Sequence, residues 1–141
     1  MANIIPFAFR GELFSGTHDF ANGGNSFKIA LYTGNPYSTS STAYLTGQEV
    51  SASNTGYTTG GKVLASQAVA SGTAVASVDF ADSALASATF TAAFAAIYND
   101  TNADKLCVVL DFGGNKTATN GTFTISFPDP STPANAIISM A

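Results

Sequence analysis

The chain has 141 residues, of which 10% are charged and 45% hydrophobic, with a net charge of −4. That length fits one domain able to bury a core without disulfides or a metal, and the hydrophobic share excludes a disordered chain. The five basic residues Arg10, Lys28, Lys62, Lys105 and Lys116 form no stripe, which argues against binding nucleic acid through its phosphates.

Residues 1–20 read as an N-terminal arm or short helix, and 21–141 as a single β-sandwich domain. The start, Met1 to Pro6, lacks the charged n-region and apolar run of a signal peptide. Phe7, Phe9, Leu13 and Phe14 lie near helical spacing, and Pro6 suits a first turn, although Gly11 weakens the helix. After the turn residues Asn22-Gly23-Gly24-Asn25, a strand over 26–33 places Phe27, Ile29 and Leu31 on one face. Residues 34–61 are loop-rich, with turn chemistry at Gly34-Asn35-Pro36, a short strand around 43–45, and 54–61 expected on the surface.

A hairpin follows, with strands over 62–69 and 73–80 about a Ser71-Gly72 turn. A strand over 89–99 ends at the turn Asn99-Asp100-Thr101-Asn102. The apolar run 106–112 reads as a central strand covered on both faces. It is closed by Gly113-Gly114-Asn115. A strand over 122–127 alternates Phe123, Ile125 and Phe127 with small polar residues. Pro128 to Pro133 breaks the chain, and 136–139 makes a last strand. The fold class is all-β, a two-sheet β-sandwich or jelly roll of seven to eight strands. No stretch approaches the roughly 18 apolar residues of a membrane span.

Few residues suggest chemistry. His18 is the single histidine, and its neighbour Asp19 points the wrong way on an extended chain to orient it. With no Gly-x-Ser-x-Gly elbow, His18 reads as a surface or interface residue. The single cysteine, Cys107, lies in the apolar run and reads as a buried small hydrophobe. Asp111, at the end of that run, is expected to bond the backbone of the following glycine turn. Gly60-Gly61-Lys62 and Gly113-Gly114-Asn115-Lys116 do not match a phosphate-binding loop and read as turns or bulges. No catalytic, cofactor or metal residues are assigned. The candidate partner surface is Ile4, Ile5, Phe7 and Phe9 in the arm, with Tyr37, Tyr44 and Tyr57 in or beside the loop. Tyrosines exposed there could stack on sugars or anchor a protein interface.

Several segments resemble a family of small virion proteins of tailed bacteriophages. They are Phe27-Lys28-Ile29-Ala30-Leu31-Tyr32-Thr33, Thr55-Gly56-Tyr57-Thr58-Thr59-Gly60-Gly61-Lys62-Val63-Leu64, Ala96-Ile97-Tyr98-Asn99-Asp100-Thr101, Val109-Leu110-Asp111-Phe112-Gly113-Gly114 and Asn120-Gly121-Thr122-Phe123-Thr124-Ile125. The resemblance implies a jelly-roll cement or decoration protein on the outer capsid surface, made in the bacterial host cytoplasm. It would clamp neighbouring major capsid subunits and self-associate as a dimer or trimer, without a cofactor, nucleic acid or membrane. The alternatives are a tail, neck or fibre-base component and a carbohydrate-binding β-sandwich module.

Overall fold

A computed structural model describes residues 3–128 and 136–140. One helix and seven strands follow in order: α1 (Phe7–Phe14), β1 (Phe27–Tyr32), β2 (Lys62–Val63), β3 (Ala68–Ser71), β4 (Ala76–Asp79), β5 (Ser83–Asn99), β6 (Lys105–Ile125) and β7 (Ile138–Met140). The strands form two antiparallel sheets, a four-stranded one in the order β2-β1-β5-β6 and a three-stranded one in the order β3-β4-β7. The all-β, two-sheet architecture expected from the alternation is therefore present.

The main core lies between the sheets. Phe27, Ile29 and Leu31 of β1, Ile97 of β5 and Val108 of β6 share it with Val78 of β4 and Ile138 of β7. Helix α1 closes one side. Its Phe9 is buried, and Ile5 and Leu13 pack onto the same core. Phe9 and Leu13 stand four residues apart and share one face of α1, and Ile5 joins them from the extended segment before it. The arm is thus part of the folded body.

The larger sheet is covered on its second face as well. Ala30, Tyr32, Ala96, Tyr98, Leu106 and Val109 form a separate buried cluster with Tyr37, and Ile4, Tyr44 and Phe94 pack against it. Tyr37 and Tyr44 of the 34–61 loop form this third layer. Residues 48–50 of the loop lie along β1, where Thr33 N donates to Gln48 O and Val50 N to Leu31 O, each at 2.9 Å. These bonds extend the sheet beside β1, and Val50 joins the main core.

Three local expectations change. The run 106–112 is covered on both faces as expected, but β6 is an edge strand and not a central one. Its first half is shielded by backbone bridges from Ile4 to Val109 and from Ala43 to Lys105. Second, the glycines at 113–114 do not end the strand. They take up an irregularity in register, with φ of 73° and 142°, and β6 continues for 21 residues opposite a 17-residue β5. A bulge absorbs extra residues without breaking the ladder, so glycine here bends the strand instead of closing it. Third, the hairpin is β3–β4, in which Gly72 N donates to Val75 O at 2.8 Å. The run before it splits at Ser66, whose φ is 53°, and Lys62–Val63 leaves to pair with β1. Beyond Pro128, the expected proline-bounded break lies outside the described residues.

Candidate functional site

Two polar clusters organise the molecule, and each joins segments far apart in sequence. The first surrounds Glu49. Its Oε1 accepts the hydroxyl of Tyr57 at 2.6 Å and the backbone N–H of Gly60 at 2.8 Å, while Oε2 accepts the hydroxyl of Tyr44 at 2.5 Å. Tyr57 also accepts the backbone N–H of Leu31 in β1 at 3.1 Å, and Tyr98 of β5 donates to the carbonyl of Gly60. Burial raises the phenol pKa of both Tyr44 and Tyr57, and the bond to the Glu49 carboxylate raises them further. Both therefore stay protonated and act as donors.

This cluster explains the word Gly56–Lys62 physically. Tyr57 and Gly60 meet Glu49, and Gly61, with φ of 82°, lies so close to β1 that a Cβ there would collide with the carbonyl of Ile29. Only glycine fits that approach. The motif is a clamp that fastens the loop to the sheet.

The second cluster surrounds His18, whose side chain is fully buried. The expectation of a surface histidine is corrected: the ring sits 5.0 Å from that of Phe9 and 6.2 Å from that of Phe20. Asn99 Oδ1 accepts the backbone N–H groups of Thr101 and Asn102, each at 3.1 Å. Its amide nitrogen therefore faces the imidazole and donates to Nδ1 at 3.0 Å. That assigns the proton to Nε2, which donates to Glu12 Oε2 at 2.7 Å. Lys105 closes the chain with an ion pair to Glu12 Oε1 at 2.7 Å.

Cys107 Sγ lies 3.7 Å from His18 Nδ1. A thiol, an imidazole and a carboxylate in one line resemble the arrangement of a nucleophilic cysteine. However, burial, with a smaller contribution from Glu12, pushes the Cys107 thiol far above its usual range. The thiolate is the nucleophile, and burial disfavours it here. The cluster ties α1 to the β5–β6 turn.

The candidate partner residues separate sharply. Phe9, Tyr37 and Tyr57 are buried in the chain's own core. Tyr37 shares a hydroxyl–hydroxyl bond of 2.6 Å with Tyr32. Tyr44 stacks on Tyr98 at 4.7 Å, Ile4 pairs with Val109, and Ile5 packs on the core. Phe7 alone of the seven presents most of its side chain, at 61% exposure, with Arg10 5.4 Å above its ring. Asp111 accepts the N–H of Gly113 at 2.8 Å, as the sequence suggested.

Sequence reasoning missed Glu49 and the Glu12–His18 pair, because neither stands in a recognisable spacing with its partners. Among the described residues, no group of three or more His, Cys, Asp or Glu side chains converges to hold a metal ion. No protein-family profile matches the chain, and neither any curated protein nor any solved structure is significantly similar to it.

Proposed function

We propose that the chain is a non-catalytic structural subunit of a tailed-bacteriophage particle, acting as a cement protein on the outside of the capsid. The observation that carries this reading is how the charges are used. Glu12 pairs with Lys105 and Lys28 with Asp100, while Arg10 and Lys62 donate to backbone carbonyls. Asp19, Asp82 and Glu49 accept backbone N–H groups. What faces outward is rich in Ser, Thr, Ala and Gly. Such a surface repels little and packs readily against neighbours, as expected of a subunit held in an assembly. The resemblance of the strand-and-turn words to virion proteins supports the same reading.

The sugar-binding alternative rested on exposed tyrosines. With Tyr37 and Tyr57 buried and Tyr44 stacked, it loses its motivating feature. Phe7 is the arm residue left to meet a capsid subunit.

Protein stoichiometry in purified particles tests the proposal. Hundreds of copies per particle are expected for a cement protein, and about a dozen would favour a neck or tail component. Particles lacking the chain should rupture sooner under heat or osmotic shock. Retention in about 1 M salt is expected, because ionic contacts are screened beyond about 3 Å there. Absence from purified particles would overturn the reading. Removing residues 1–9 is a poor test, since Ile4 and Phe9 hold the fold. Phe7→Ser is the clean variant.

A further inference from the structure

Most free edges of the two sheets are short. β2 runs for two residues, β3 for four and β7 for three, and a short edge offers little backbone to a pairing strand. β6 is the exception, and the chain covers only its first half, where Ile4 and Ala43 bridge to Val109 and Lys105. The outer side of β5 is met by the loop, since Thr89 N donates to Thr55 O at 2.9 Å and Lys62 donates to the carbonyl of Ala84. From Lys116 to Ile125, the side of β6 turned away from β5 meets no other segment of the described residues. A groove of about 590 Å³ follows this stretch. Its walls take in successive residues, 116–119 and 121–126, where a groove on one face of a strand would meet alternate residues only. Phe112 also lines it, and its ring lies 6.3 Å from that of Phe123. The strand therefore curls back about Gly113 and Gly114, and the groove lies in the bend.

We propose that this edge pairs with an extended segment of another protein, which adds a fifth strand to the larger sheet and carries a carboxylate opposite Lys116. The backbone sets the form of the partner. Alternate N–H and C=O groups of an edge strand point outward, and an added strand satisfies them. Charge sets its chemistry. Among the described residues, Lys116 is the one basic side chain without a polar partner, since Lys28 and Lys105 pair with acids and Arg10 and Lys62 reach backbone carbonyls. It stands in the wall of the groove. No acid lies between Gly113 and Ser126, nor in β2, β3 or β7, so the edge strands of a second copy offer it no carboxylate. Phe123 and Ile125 are already buried in the chain's own core, which leaves mainly Thr, Ala and Gly along the edge. The partner gains its affinity from main-chain bonds and one ion pair, so it binds weakly as a free peptide and firmly when held close by. The inference rests on the edge itself and does not depend on the virion reading.

The probe is an acetylated, amidated nine-residue peptide of alternating Thr and Val with Glu at its centre. In the dilute free chain, the amide hydrogens of 117–124 that face away from β5 should exchange quickly with solvent. Peptide at millimolar concentration should slow them at least tenfold and leave those of α1 unchanged. The same peptide with alternate amides N-methylated keeps its side chains but loses the donors of the ladder, and should bind at least tenfold more weakly. Lys116→Glu, which removes no polar contact within the chain, should weaken the Glu peptide about fivefold and favour a Lys version by a similar factor. Edge amides already protected in the dilute free chain would overturn the proposal, because the chain would then cover its own edge. Protection that grows with protein concentration alone would overturn it in favour of a second copy. So would an edge left unprotected by the peptide, or equal binding of the N-methylated form. Equal binding of the Glu and Lys peptides would overturn the acidic partner.

Discussion

Tyr57 donates its hydroxyl to Glu49 at 2.6 Å while accepting the N–H of Leu31 at 3.1 Å, so one phenol couples the loop to the middle of the main sheet. Both contacts are shielded from water, which makes each group costly to leave alone.

Glu49→Ala should therefore loosen the third layer. It removes the acceptor for Tyr57, Tyr44 and Gly60 together. Stranding a buried donor costs about 1–3 kcal/mol, so a total loss of about 2–4 kcal/mol is expected by chemical denaturation. Limited proteolysis of the variant should cut first within 34–61, while the parent resists there.

Acid should weaken the attachment of α1. Burial opposes ionisation of Glu12, but the hydrogen bonds from Lys105 and His18 outweigh it, and the carboxyl titrates below its ordinary 4.5. A carboxylate with a depressed folded-state pKa adds stability that is present above pH 4.5 and lost as pH falls through the folded value. The denaturation midpoint should fall on acidification below that pH, and Glu12→Gln should flatten this dependence. An unchanged slope in the variant would show that other carboxylates govern acid unfolding.

Cys107 should ignore thiol reagents in the native protein and react fully in denaturant. Its side chain is buried among Phe9, His18 and Val108, and the thiol is held protonated. The native labelling rate then measures how often the α1 side of the core opens. Rapid native labelling would contradict this packing.

Two glycine substitutions should have opposite signs. Gly61→Ala meets both a φ of 82° and the carbonyl of Ile29, so about 2 kcal/mol or more of destabilisation is expected. Gly11→Ala lies in α1 with open space around the added methyl, and should stabilise by about 0.5–1 kcal/mol. Thermal melts of the two variants compare them directly.

Much of the secondary structure could be read along the chain. The apolar residues of α1 lie near helical spacing, the β3–β4 hairpin turns at Gly72, and the β5–β6 hairpin turns at Asn99–Asn102. These are local patterns, set by helix and strand period and by turn chemistry. The glycines at 113–114 misled because a bulge and a turn use the same residues, and only a partner strand on both sides of the irregularity tells them apart.

The candidate surface depended on longer-range facts. Phe7 and Phe9 look alike in the sequence, yet one is 61% exposed and the other 1%, because α1 presents a single face to the core. Tyr37 and Tyr57 could equally have faced water, since tyrosine carries an apolar ring and a polar tip. Composition made this chain charge-poor and core-forming, and the alternation of its residues made it a β protein, because both act locally along the whole chain. Which tyrosines fold inward and how His18 is buried were decided by tertiary packing, because each depends on groups dozens of residues away arriving at the same place.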